Sequence, residues 1–199
     1  MDELKISIFS PRKDQCDLCL AFANKNPDIT QEDYDAHIKK KNDARAAMND
    51  DIENSDYKFV FTMDVETVLL CPVTKASAAY FKSKLTVHNF TIYNCNPGSG
   101  YCFLWDETEA DLQASVFATL IIKNITILQK YLEKGHTQMK CDSMHSKIER
   151  KTRNKEIYLP SAYVLLCEKA RSNPEPFKVR YCHHDDFYNY STLKFYLSI

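Results

Sequence analysis

Apolar and polar side chains alternate most densely over residues 57–70, a run rich in aromatic and β-branched residues that predicts a strand. Successive side chains point to opposite faces, so Tyr57, Phe59, Phe61 and Met63 line one side and Val60, Thr62 and Asp64 the other. A run this apolar predicts a central strand. An ionised carboxylate in its middle is costly to bury alone, which places Asp64 at a cleft or beside a partner such as a metal ion. Residues 79–85 and 87–93 alternate in the same way. A turn carrying Gly98 and Gly100 then delivers residues 101–105, so an antiparallel meander is expected.

Helical spacing takes over on either side of the meander. Thr30 and Asp33 resemble a capping box, and Tyr34, Ile38, Ala44, Met48 and Ile52 recur as a thin stripe along a charged helix over 30–54. That helix reads as an arm packed along the main domain, as a coiled-coil-like contact giving a homo-oligomer, or as a DNA-contacting element. Downstream, Asp106 and Glu109 open a helix whose Leu112, Val116, Phe117, Leu120 and Ile121 form an apolar face to about Asn124. Residues 125–132 read as a strand, broken by Gly135. From Lys140 the chain is helical again, with Cys141, Met144 and Ile148 facing a core and Asp142, His145 and Glu149 on the neighbouring stripe. An acid-His-acid stripe suits a cleft wall as well as it suits the polar edge of an ordinary amphipathic helix. Residues 157–159 are extended, Pro160 starts a helix through Tyr163, Leu166, Cys167 and Ala170, and 177–182 form a last strand.

Composition narrows the chemistry. At 199 residues and 44% hydrophobic content the chain can fold as one full domain with a small appendage, expected at 57–199 and 1–56 respectively. A net charge of −1 argues against a wholesale nucleic-acid binder, so contact with DNA has to come from local patches. Those patches are Lys39, Lys40 and Lys41, and the cluster Lys147, Arg150, Lys151, Arg153 and Lys155. Three glycines, at 98, 100 and 135, exclude a P-loop and a dinucleotide fingerprint, which need them clustered for close backbone approach to phosphate. No apolar stretch has the length of a membrane span and the N-terminus lacks a signal-peptide core, so an intracellular, soluble protein without membrane contact is expected.

The eight cysteines are scattered, as for thiols in a reducing compartment. Only Cys16 and Cys19 are spaced like metal ligands, with His37 the nearest third donor. A structural zinc needs a fourth, and a reduced pair or a vestigial site are the competing readings. His183, His184, Asp185 and Asp186 form a consecutive run that seldom converges on one ion. There Asp185 or Asp186 is expected to cap the segment 187–193.

Taken in order, the motifs Pro11-Arg-Lys-Asp-Gln-Cys16-Asp-Leu-Cys19, Phe61-Thr-Met-Asp64-Val-Glu66, Tyr101-Cys-Phe-Leu-Trp-Asp-Glu107, Gly135-His-Thr-Gln-Met-Lys-Cys-Asp142-Ser-Met-His145-Ser-Lys-Ile-Glu149 and Ile157-Tyr-Leu-Pro160 resemble a family of transposon-derived proteins. Members carry a ribonuclease-H-like domain of the DDE transposase type behind a Cys-x-x-Cys knuckle. The resemblance implies an α/β fold, a mixed sheet flanked by helices, and two Mg²⁺ ions held by acids for phosphodiester cleavage. Asp64 matches the first acid and Asp142 the last, with Glu149 a weaker choice and His145 orienting water or phosphate. The family pattern also expects a further strand with a Ser-Asp-Asn type motif between Asn124 and Ile125, and it is missing here. Its loss removes the second acid and a central strand beside the Asp64 strand. Lys140 stands where relatives are expected to carry Glu. The expectation is therefore a nuclear (alternatively cytoplasmic), inactive or severely impaired transposase remnant. A DNA- or protein-binding module, using Lys147, Arg150, Lys151, Arg153 and Lys155, and a working Mg²⁺-dependent nuclease are the alternatives.

Overall fold

A computed structural model of the chain describes residues 16–54, 60–76, 82–96, 98–122 and 139–188. The expected strand at 125–132 lies outside them, as do Tyr57, Phe59, 79–81 and 189–193. The chain divides into two compact units. In the described residues the smaller holds 16–53 and the larger everything from Asn54 on.

The smaller unit is two helices, α1 (Asp17–Ala23) and α2 (Gln31–Glu53). The start of α2 follows from local chemistry. The Thr30 hydroxyl and N–H both donate to the Asp33 carboxylate, at 2.7 and 3.1 Å, while the Asp33 N–H donates back to the Thr30 hydroxyl at 3.1 Å. These reciprocal bonds satisfy donors that a helix start otherwise leaves bare. Phe22 of α1 stacks on Tyr34 of α2 with ring centroids 4.1 Å apart. Of all its described residues only Cys16 and His37 are buried.

The larger unit is mixed α/β. Its open sheet contains β1 (Phe61–Val65), β2 (Leu69–Cys71), β3 (Leu85–Asn94), β4 (Gly100–Asp106) and β5 (Lys178–Tyr181). The order is β1-β3-β4-β5, with β2 also paired to β3; all pairings are antiparallel except β4 with β5. Helix α3 (Ala114–Ile122) covers one face, where Val116 and Leu120 pack on Phe90, Ile92, Phe103 and Trp105. Helices α4 (Lys140–Thr152) and α5 (Ala162–Glu168) cover the other, burying Met144, Ile148, Tyr163 and Cys167 against Val87, Cys102 and Leu104. No helix among the described residues is long and apolar enough to cross a membrane.

The expected run 57–70 is corrected in two ways. Among the described residues it lies at the edge of the sheet, not at its centre: β1 ends the sheet order and its outer side has no strand partner there. It is also interrupted. Val65 pairs with Phe90 and Leu69 with Val87, so Glu66, Thr67 and Val68 oppose only His88 and Asn89. This one-residue bulge reverses the alternation. Phe61, Met63 and Val65 pack on the α3 side, whereas Leu69 and Cys71, after the bulge, join the α4 and α5 side.

Two other expectations shift. Residues 85–94 form one continuous strand where separate runs at 79–85 and 87–93 are expected. The helix expected from Asp106 begins at Ala114, because Asp106 ends β4 and its carboxylate is taken by the Thr108 N–H at 2.9 Å and the Tyr181 hydroxyl at 2.6 Å.

Candidate metal centres

Helix α4 lies along β1 with a matched repeat. Four residues of helix advance about 6 Å and two residues of strand about 6.6 Å, so successive side chains facing each other meet in rungs. At the first rung the Cys141 thiol donates to the Thr62 carbonyl at 3.0 Å, and burial pushes that thiol up to about 11. At the next, Asp64 meets Asp142 and His145. One ligand atom from each of these three lies within 4.8 Å of the others. The helix stripe and the strand face expected from the sequence are thus the two walls of one site.

Each member of this cluster is held by a different force. Asp64 is half-buried and its Oδ1 accepts the Val65 N–H at 2.8 Å. Burial pushes its carboxyl up, the charge of Asp142 adds to this, and the Val65 N–H and His145 oppose it. Asp142 accepts the Met139 N–H and so closes the first turn of α4. Burial holds the His145 imidazole below its ordinary value, against Asp64, Asp142 and Glu149, so the ring is neutral at pH 7.

Thr91 fixes which nitrogen carries the proton. It sits directly across from Asp64 in the ladder, and its hydroxyl donates to the Asp64 carbonyl at 3.2 Å. The same hydroxyl lies 2.8 Å from His145 Nε2. With its one proton committed to the carbonyl, it accepts from Nε2–H, and Nδ1 keeps the lone pair that a metal ligand needs. The assignment follows from satisfying both bonds at once.

Glu66 marks a third rung that the sequence reading did not single out. It is 3% exposed, accepts the Asn89 amide at 2.6 Å, and has one carboxyl oxygen without a partner. Burial, helped by Glu149, pushes its carboxyl to about 7. The available signal was its spacing of two from Asp64, which puts both acids on one strand face. Neither Glu66 nor Glu149 joins the cluster of Asp64, Asp142 and His145, and Glu149 is exposed.

The smaller unit holds a second cluster. Cys16, Cys19 and His37 also place their ligand atoms within 4.8 Å of one another. The Cys16 sulfur and His37 Nε2 are 3.2 Å apart. Cys16 is the N-cap of α1, and Cys19 follows in its first turn. Burial and the neighbouring Cys16 sulfur raise the Cys19 thiol, and Lys41 lowers it. Two thiols and an imidazole are the donors of zinc sites. Among the described residues the cluster has three donors.

The remaining expected residues lie elsewhere. Arg150, Lys151, Arg153 and Lys155 are exposed at and beyond the end of α4, while Lys147 is half-buried. Lys140 is exposed and lines a cavity with Tyr93 and Ser143. Glu109 is engaged by His183 Nδ1 and the His184 N–H, at 3.0 and 2.7 Å. Asp186 accepts the His183 N–H and closes the short 3-10 turn His184–Asp186, a turn upstream of the segment it was expected to cap. No family model, curated protein or solved structure matches the chain, so the resemblance to transposases rests on the sequence motifs alone.

Proposed function

We propose that the larger unit is a ribonuclease-H-like domain of transposase descent whose acidic cluster is the one-metal remnant of a DNA strand-cleaving centre. The observation that carries this reading is the convergence of Asp64, Asp142 and His145 within 4.8 Å, on the strand and helix where the motif order expects the first and last acids. Among the described residues no strand pairs with the outer side of β1, where the family pattern has a further strand, and this accords with the reading.

The donor set fits a divalent cation. Two carboxylates and a neutral imidazole favour Mn²⁺ or Zn²⁺ over Mg²⁺, which prefers oxygen donors and retained waters. An ion bound there would polarise a phosphoryl oxygen and acidify a bound water. Paired ions need a bridging carboxylate and further acids, and among the described residues the cluster offers two carboxylates only. Strand cleavage is therefore absent or vestigial. In the smaller unit, Cys16, Cys19 and His37 are assigned to a structural zinc ion.

Calorimetry with Mn²⁺ tests the reading on the full chain. One ion should bind, and binding should vanish in Asp64→Asn. Supercoiled plasmid should stay intact in Mg²⁺ and show at most trace nicking in Mn²⁺. Multiple-turnover nicking that Asp64→Ala abolishes would establish a working nuclease instead, and absence of Mn²⁺ binding would remove the metal centre altogether. A second reading, a DNA-binding module, is favoured by the exposed Arg150, Lys151, Arg153 and Lys155. It requires duplex affinity to fall with salt by roughly one log-log slope unit per phosphate contacted.

A further inference from the structure

On the side of α4 away from the acids lies a small cavity of about 130 Å³. Lys140, Ser143 and Lys147, spaced three and four residues apart, supply one wall, and Tyr93 and Arg171 complete its polar lining. Among the described residues no carboxylate lines it. Asp142 is instead turned into the cluster with Asp64 and His145. The cavity thus concentrates three cations with no counter-charge in its lining, and neither lysine forms an ion pair among the described residues.

Arg171 is the decisive member. It is 6% exposed, its Nε donates to the Glu175 carbonyl at 2.7 Å and its Nη1 to the Gly98 carbonyl at 3.0 Å. Its guanidinium stacks on Phe177 with 4.6 Å to the ring centroid. The remaining nitrogen, Nη2, is buried with no hydrogen-bond partner. A charged donor left bare in the interior is costly, and an arginine fixed by two carbonyls and a ring cannot swing out to solvent to relieve it. Its fixed positive charge adds to those of Lys140 and Lys147, and among the described residues the lining holds no carboxylate to offset them.

The walls also set the size. Gly100 forms β4's first residue against the apolar floor, where an added Cβ would stand 2.7 Å from Phe177 and 2.8 Å from Met144. The space corresponds to about four water molecules by their share of liquid volume. That is room enough for a tetrahedral oxyanion.

We infer that this cavity binds a phosphate group, held by the ammonium groups of Lys140 and Lys147 and the hydroxyl of Ser143, with the fixed Arg171 guanidinium in its wall. Guanidinium and ammonium donors together are the chemistry that recognises phosphoryl oxygens. The phosphate is either free inorganic phosphate or one phosphodiester of a nucleic-acid strand. Neither source requires the metal centre.

The test uses the full chain without added divalent ions. Inorganic phosphate is titrated against chloride at matched ionic strength, followed by phosphorus NMR and thermal melting, and a short DNA duplex is titrated separately. The double variant K140Q/K147Q leaves the buried arginine in place. The wild type should bind phosphate and melt higher in it than in chloride, and the double variant should weaken binding about tenfold or more. If the natural source is a strand, the duplex competes with phosphate and loses affinity in the same variant; if it is free phosphate, duplex binding is the same in both proteins. Equal phosphate and duplex affinity in wild type and variant would overturn the proposal. Repeating the titrations in Asp64→Asn separates the two sites: lost Mn²⁺ binding with phosphate binding intact speaks only to the metal centre.

Discussion

The two donor clusters are alike in number and spacing, and they differ in what surrounds them. Each brings three ligand atoms within 4.8 Å. The acidic cluster stands on a sheet whose two faces bury separate apolar cores, including Trp105, Leu104 and Ile92 at 2% exposure or less. The thiol-imidazole cluster stands in a unit whose only buried described residues are two of the ligands themselves, Cys16 and His37. Small units seldom hold together by apolar burial alone, and bound metal then supplies folding energy. The same number of donors can therefore be a structural centre in one place and a dispensable graft in the other.

The largest effect expected from this contrast is on metal removal. A zinc chelator, or Cys16→Ser, should strip hydrogen-exchange protection from α1 and the first turns of α2, since structural zinc contributes on the order of 10 kcal/mol to such units. Protection in β3 and β4 should be unchanged. Equal loss in both units, or in neither, would erase the distinction.

A smaller effect tests whether the sheet stands on its own interactions. Burial works to raise the Asp106 carboxyl, but hydrogen bonds from Thr108, Tyr181 and the Glu109 N–H outweigh it and hold its pKa below the ordinary value. A carboxyl lowered in the folded state adds stability that is fully present above its unfolded pKa and lost as pH falls through the folded one. Asp106→Ala should thus cost about 1.5–3 kcal/mol at pH 7, the range for hydrogen bonds to a charged group. Urea melts as pH falls below the ordinary carboxylate range should show that gap closing, with the chelator response of the smaller unit unaltered.

Much of this architecture is legible from short-range pattern. The capping box at Thr30, the order of the meander, the core stripe of α4 and the division of β1 side chains between two faces all follow from residues close in sequence. The bulge does not. Glu66, Thr67 and Val68 continue a strand-like run without glycine or proline, and only the pairing with β3 reveals the extra residue. The start of α3 was hidden because the hydroxyl that claims Asp106 lies 75 residues away, on Tyr181. Arg171 was invisible for a similar reason: one of its two carbonyl partners, Gly98, is 73 residues distant. Residues chosen by type and spacing, such as Asp64, Asp142 and His145, were within reach of the sequence, whereas Thr91, which orients His145, came from another strand of the sheet.

Thr91 gives the smallest and most specific test of the comparison, because it touches the acidic cluster without supplying a ligand. Thr91→Val keeps the shape of a fully buried side chain but removes the hydroxyl that accepts from His145 Nε2 and donates to the Asp64 carbonyl. The ring then loses what fixes its proton and its angle. Loss of such an orienting bond lowers metal affinity by roughly 10–100-fold, so Mn²⁺ binding should weaken by that factor while the two carboxylates remain. Thr91→Ser, which keeps the hydroxyl and loses only a methyl group, should retain most of the affinity. If Ser weakens binding as much as Val does, packing rather than the hydroxyl sets the site. If neither changes Mn²⁺ binding, His145 is not a ligand and the cluster reduces to a pair of acids on a stable sheet.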